Sequence, residues 1–161
     1  MSCPECEIVE GKRHARGRKP LVRGAWIVHP RPEDAAVPGW WMIAPKRHVE
    51  SFDALTPREQ RSLGAIVGEV SAALRASTPT EKIYVSIFAE VLKHLHVHVI
   101  ARPPDLAPED HGPYIFLSRH TADARDVDEV VAKVAARLSG SASKSRSRKR
   151  SRAPRRRVRR R

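Results

Sequence analysis

His94-Leu95-His96-Val97-His98-Val99-Ile100 is the stretch that decides how this chain is read. In an extended strand, residues two apart share a face, so His94, His96 and His98 point one way while Leu95, Val97 and Val99 point into a core. A merely solvated face would use Thr, Lys, Glu or Ser, whereas here three of the chain's eight histidines fall within five residues. Imidazoles in a row suit chemistry close to their own pKa. Two chemistries use such a row. In one, an imidazole attacks phosphorus and becomes a covalent phospho-imidazole, while neighbouring groups fix its tautomer and hold the non-bridging oxygens. In the other, a His-x-His pair grips a metal that activates water, because alternate Cα atoms of a strand lie roughly 6.6–6.8 Å apart. His94 and His98 are about twice as far apart, so a regular strand does not put all three on one ion.

Outward from this segment the pattern is α+β. Thr56-Pro57-Arg58-Glu59 has the form of a capping box, with Thr56 as N-cap, Pro57 at the first helical position and Glu59 at N3. A helix is predicted to follow through about Ala76, since Leu63, Ile66, Val67, Val70, Ala73 and Leu74 recur at spacings of three and four. Period-two, β-branched stretches predict strands at Ile83 to Phe88 and Leu92 to Ile100. Shorter strands are predicted at Ala25 to His29, ended by Pro30, and at Trp40 to Ala44, ended by Pro45. Val127 to Leu138 reads as a C-terminal helix stopped near Gly140. About five strands and two helices result. Two of Trp26, Trp40 and Trp41 alternate along strands, and large aromatics are more often core than ligand-stacking, so one of Trp40 and Trp41 is expected in the core.

The string HLHVHVI, with PGWWMIAPKRHVESFDALTPREQ upstream of it, resembles the histidine triad (HIT) family, in which a strand, a Pro-x-x-His turn and a helix precede the triad. The resemblance covers roughly residues 1–118 and implies a HIT-like fold, an antiparallel sheet of about five strands with two helices. It also implies an enzyme: a nucleotide-binding hydrolase or transferase acting on the α-phosphate of dinucleoside polyphosphates or nucleoside phosphoramidates, with no metal required for the covalent chemistry. By that resemblance His96 is the nucleophile, His98 sits beside it against the phosphate, and His94 orients the site. The nucleotide contacts are then His94, His98 and Glu90. Two positions depart from the family's pattern. Trp40 stands where many members carry a further histidine. Ala89-Glu90-Val91 stands where they often have Gly-Gln-Ser/Thr, so a carboxylate replaces an amide and a hydroxyl is lost beside the phosphate. The alternative function is therefore a catalytically weak or inactive domain that binds nucleotides or nucleic acid. A further reading, a metallohydrolase with His96 and His98 as ligands, predicts chelator-sensitive chemistry.

Cys3-Pro4-Glu5-Cys6 holds the chain's two cysteines. A disulfide across so short a loop would restrain little chain entropy, and metal ligation or redox chemistry is the better reading. The spacing is that of half a tetrahedral zinc site, and histidine can supply the rest. His14, His29, His111 and His120 are available, besides His48 in Pro45-Lys46-Arg47-His48 and the triad. The uridylyltransferase branch of the superfamily and many microbial HIT proteins resemble this arrangement, which implies a structural zinc on Cys3, Cys6, His48 and His94.

The chain has 161 residues with 31 Lys+Arg against 18 Asp+Glu, a formal charge of +13. Residues 141–161 hold 12 of the bases and no acid, which leaves 19 bases against 18 acids in residues 1–140. A nearly neutral HIT-like domain over 1–140 and a disordered Ser/Arg-rich tail over 141–161 are expected, the tail having almost nothing to bury. Such a tail would bind nucleic acid or another polyanion weakly and in a salt-sensitive way. A second basic run, Lys12 to Pro20, carries Gly and Pro and reads as a surface loop. No apolar run reaches the roughly 18 residues of a membrane span and MSCPECEIVEGK is not a signal sequence, so a cytoplasmic protein without membrane association is expected. A homodimer is a further expectation from the resemblance.

Overall fold

The structure is a computed structural model and describes residues 3–32 and 35–151, with side chains described as far as residue 140. Five strands, β1 (Leu21–Arg23), β2 (Trp26–Pro30), β3 (Trp40–Pro45), β4 (Lys82–Ser86) and β5 (Val97–Arg102), form one antiparallel sheet in the order β1-β2-β3-β5-β4. The α-helices are α1 (Pro4–Val9), α2 (Pro57–Arg75) and α3 (Ala124–Ser151), and two 3-10 turns follow β5 at Pro108–Asp110 and Gly112–Phe116. The expected α+β architecture is present, with a third helix. α1 has Pro4 in its first turn and only six residues, too few for a hydrophobic period to show.

The two faces of the sheet do different things. Trp26, Val28, Trp41, Ile43, Val97 and Val99 pack beneath α2 and α3 as the main core. On the other face, α1 lays Ile8 on Ile27 and Ala44, and the turn at Gly112–Phe116 brings Ile115 and Phe116 onto Trp40 and Ile100. Between these two small clusters runs a row set by strand register, in which His29 pairs with Met42, Met42 with His98, and His98 with Ser86. Trp41 is therefore a core residue, and Trp40 belongs to the histidine face.

Ladder hydrogen bonding begins only at Val97, where the sequence predicts a strand from Leu92. The partner strand ends at Pro45, which has no N–H to give, and its carbonyl is taken by the His94 ring at 3.0 Å. The alternation survives this loss: Leu95 N–H bonds the Val49 carbonyl at 2.7 Å, and Leu95 stays in the core. At the other end, α3 runs past Gly140, where a stop is expected, to Ser151; Leu138 is its last buried residue among the described side chains. Residues 152–161, nearly half of the expected tail, lie outside the described residues. The Lys12 to Pro20 run has no helix or strand, only an isolated bridge from Ala15 to Arg18, and Arg16 ties it to Asp128 at 3.1 Å.

The capping box forms as read. Glu59 N–H donates to Thr56 Oγ1, and Thr56 N–H donates to Glu59 Oε2 at 2.8 Å. Arg47 donates to the same carboxylate at 2.6 and 2.9 Å, and this holds the Glu59 carboxyl down at about 2. Because the value is depressed, the ion pair contributes stability above the ordinary value of 4.5 and loses it as pH falls toward about 2. Glu59→Gln keeps the cap but drops the charge. With Arg47 44% exposed, the expected cost is about 1 kcal/mol at neutral pH. In thermal melts across pH, the gap between wild type and variant should close between pH 4.5 and 2.

Candidate active site and metal centre

Cys3, at the N-cap of α1, and Cys6, one turn on, face two histidines brought from distant elements: His48 from the turn after β3 and His94 from the approach to β5. Their ligand atoms all lie within 4.8 Å of one another, the one such group of His, Cys, Asp or Glu among the described residues. His94 Nδ1 is 3.5 Å from each sulfur, and His48 Nδ1 is 3.4 Å from Cys6 Sγ. A tetrahedral zinc with bonds of about 2.3 Å to sulfur and about 2.0–2.1 Å to nitrogen requires sulfur–nitrogen separations of roughly 3.6 Å. The spacing fits. One lone pair on His94 Nδ1 cannot accept from two thiols at once, whereas two thiolates and an imidazole can share a cation. The outward nitrogens fit as well: His94 Nε2–H donates to the Pro45 carbonyl at 3.0 Å, and His48 Nε2 lies 3.4 Å from Glu50 Oε1. Both arrangements present Nδ1 to the sulfurs, as ligating histidines do when an outer acceptor fixes the tautomer. In the absence of a cation, burial and the adjacent Cys3 push the Cys6 thiol up to about 11. His14, His29, His111 and His120 take no part in this group.

On the same face, an open cleft of about 680 Å³ is lined by His96, His98, Met42, Arg31, Glu5 and Phe116, with Ala89, Glu90 and Val91 along one wall. The ring of His96 donates Nδ1–H to the carbonyl of His94 at 2.8 Å, which leaves Nε2 as its basic atom. His98 is the reverse. The Trp40 indole N–H, which can only donate, meets His98 Nδ1 at 3.0 Å, so the ring's own proton is on Nε2. Burial, then His96, Arg31 and His29, push His98 down to about 3, and the ring is neutral at any ordinary pH. The two rings stand edge to face at 4.7 Å. One bare nitrogen and one N–H donor are thus set side by side.

His94 does not line this cleft. Its ring is buried against the cysteines, with both nitrogens engaged, and it reaches the site only through its carbonyl. That is the difference from the expected nucleotide contact: the ladder ends between Pro45 and Val97, and the His94 ring, still on the histidine face, turns to the cysteines and the Pro45 carbonyl. Glu90 is exposed at the cleft wall beside a fully exposed Val91, and Ala89 before them holds a left-handed backbone at φ 55°. No third Cys, Asp, Glu or His donor groups with the His96–His98 pair among the described residues, so a metallohydrolase built on that pair has no ligand set here.

Two residues of the cleft had no signal in the sequence. Glu5, between the cysteines, is 1% exposed, and its Oε2 lies 3.2 Å from Nε2 of the fully buried His29. Burial alone would raise the Glu5 carboxyl, but His29, His96 and His94 outweigh it and hold it below the ordinary range. Arg31 lies with its guanidinium carbon 4.3 Å from the centre of the Trp40 ring. Glu5 is only an intervening residue of the Cys-x-x-Cys and Arg31 belongs to no motif; α1 and the end of β2 bring them in.

A family model described as HIT domain matches residues 27–105. Solved structures share the fold. A zinc-bound histidine triad family protein from Mycobacterium smegmatis superposes with a TM-score of 0.68 at 19% identity, over 89% of this chain and 97% of that one. A hypothetical histidine triad nucleotide-binding protein from Sulfolobus tokodaii strain 7 gives 0.63 at 16% identity, over 86% and 93%. A histidine triad protein from Bradyrhizobium japonicum gives 0.62 at 22%, over 78% and 96%. Comparison with curated proteins finds no match.

Proposed function

Through residues 27–105 the chain belongs to the histidine triad (HIT) family, and from that membership we propose that it is a nucleotidyl hydrolase or transferase acting on the α-phosphate of nucleotide conjugates. The observation that carries the reading is the opposed pair of tautomers. His96, its Nδ1–H held by the His94 carbonyl, offers Nε2 to phosphorus, and His98 offers Nε2–H to an oxygen of the same phosphate. The His96 attack forms a P–N bond as the bond to the leaving group breaks; water then cleaves the P–N bond, releases a nucleoside monophosphate and sheds its proton to solvent through the open cleft. His98 stabilises the charge that develops on the phosphoryl oxygens, the larger part of catalysis in sites of this kind. His94 supports the nucleotide site by holding His96. Glu90 belongs to the nucleotide-contacting wall, where its carboxylate disfavours an anion and slows turnover relative to an amide. Substrates in this class are dinucleoside polyphosphates and nucleoside phosphoramidates.

Cys3, Cys6, His48 and His94 would hold a zinc ion, supported by the spacing of their donors and by the zinc-bound relative from Mycobacterium smegmatis. Four protein ligands mark the role as structural, the ion supplying a cross-link between α1 and the histidine segment. The nucleotide-binding description of the Sulfolobus tokodaii relative supports a nucleotide ligand. We read the protein as cytoplasmic, in keeping with thiolate ligands in a reducing compartment; no described helix is long and apolar enough to cross a membrane. β4 is an edge strand with Val85 exposed and Ile87 exposed just beyond its end, which favours a homodimer.

Incubation with diadenosine tetraphosphate or adenosine 5′-phosphoramidate, followed by mass spectrometry, should show an acid-labile nucleotidyl adduct on the chain. Nucleotide bound without adduct or product would establish instead the second reading, a binding domain without turnover, which the exposed Glu90 and Val91 favour. We assign polyanion binding to residues 141–161. Their deletion should leave the melting temperature within about 2 °C while removing most salt-sensitive retention on nucleic acid; unaltered retention would transfer that role to the Lys12 to Pro20 loop.

A further inference from the structure

Trp40 occupies an unusual position for a large apolar side chain. It is 2% exposed on the histidine face, its ring stands edge-on to Phe116 at 4.9 Å, and the Arg31 guanidinium lies over it at 4.3 Å. Its single polar atom is spent on His98 Nδ1. An indole N–H never accepts, so the contact survives only while Nδ1 carries no proton. A second proton on His98 would set two donors against each other. The groups that face the ring give no help to a cation: His96 from the same segment, His29 from β2 and Arg31 after β2 are neutral or positive. His98 is therefore held in one tautomer by a residue that never touches substrate, while burial beside these groups keeps it neutral.

That restriction selects a leaving group. When His96 Nε2 bonds to the α-phosphorus, the electron pair of the breaking bond must go somewhere. With a phosphoanhydride it leaves on the bridging oxygen as a phosphate anion, which is stable in water without gaining a proton. With a phosphoramidate it leaves on nitrogen, which must be protonated as the bond breaks. A neutral imidazole whose only proton is on Nε2 can donate a hydrogen bond, but it would have to become an imidazolate to part with that proton, so it is no general acid. Resting on the reading of His96 as the nucleophile, we propose that Trp40 tunes specificity: its N–H denies His98 Nδ1 a proton, so that His98 serves as an Nε2–H donor and not as a general acid, and the site favours nucleotide conjugates that expel a phosphate anion over those that expel an amine.

Two forms of the full chain test this: wild type and Trp40→Phe, which keeps the ring contacts and removes the N–H. Ring-nitrogen NMR should find His98 protonated on Nε2 only in wild type, and as a tautomer mixture that gains its second proton at a higher pH than wild type in Trp40→Phe. Wild type should cleave diadenosine tetraphosphate at least 100-fold faster than adenosine 5′-phosphoramidate. In Trp40→Phe that ratio should narrow at least tenfold as pH falls to where NMR finds His98 gaining its second proton, and stay unchanged in wild type over the same range. An Nδ1–H tautomer in wild type, or a phosphoramidate cleaved as fast as the anhydride, would overturn the proposal. Absence of any adduct from either substrate would instead overturn the reading of His96, and the proposal with it.

Discussion

Cys3→Ser and His48→Ala should each reduce zinc from about one ion per chain to near zero and lower the melting temperature by 10 °C or more. Free energy of binding at a site assembled by folding is folding free energy, and structural zinc sites contribute several kcal/mol on that account. The local structure gives the reason here. α1 has six residues, far below the roughly 12–15 needed for a helix to persist on its own, and its apolar anchor is Ile8 against Ile27 and Ala44. Without the ion, two thiols, one of them with a pKa of about 11, would meet the imidazoles as weak donors. α1 would then detach and expose Ile8 together with the buried Glu5 and His29. Metal analysis and thermal melts on protein purified without a histidine tag measure this. A metal-free wild-type chain whose cysteines alkylate freely would refute the site, and zinc retained by His94→Ala would point to another fourth ligand. Nucleotide chemistry should suffer indirectly, because the His94 carbonyl that orients His96 belongs to the residue the ion anchors.

The second large effect belongs to His96. His96→Ala or His96→Asn should reduce nucleotidyl hydrolysis by about 10⁴-fold or more and eliminate the adduct, since removing a nucleophile removes the whole covalent route. The fold should hold. His96 is 6% exposed, but its ring faces the cleft, and the neighbours that pack in the core are Leu95 and Val97. A melting temperature within a few degrees of wild type separates lost chemistry from lost structure. Turnover at the wild-type rate in either variant would refute the covalent mechanism.

What could be read directly along the chain is what has a short period or a local signature. The His/apolar alternation of residues 94–100 assigned opposite faces correctly even where the ladder fails, because side-chain direction in extended backbone depends on neighbours one and two away. Thr56 and Glu59 announced α2, since a capping box is closed by residues three apart. The Cys-x-x-Cys spacing marked half a metal site; its partners came from family resemblance, and the structure gathers the same four residues.

Tertiary structure decided the rest, and each case depends on register or on an element too short to show a pattern. α1 has no legible period, yet it brings Glu5 against His29 and covers the histidine face. In sequence Trp40 is legible only as a departure from the histidine that many family members carry. Only the antiparallel pairing of β3 with β5, which sets Trp40 opposite Ile100 and Met42 opposite His98, brings its N–H to a ring 58 positions away. The tautomers of His96 and His98 follow from that pairing and from the carbonyl of His94. Protonation state is a property of hydrogen-bond partners, and partners distant along the chain are chosen by the fold.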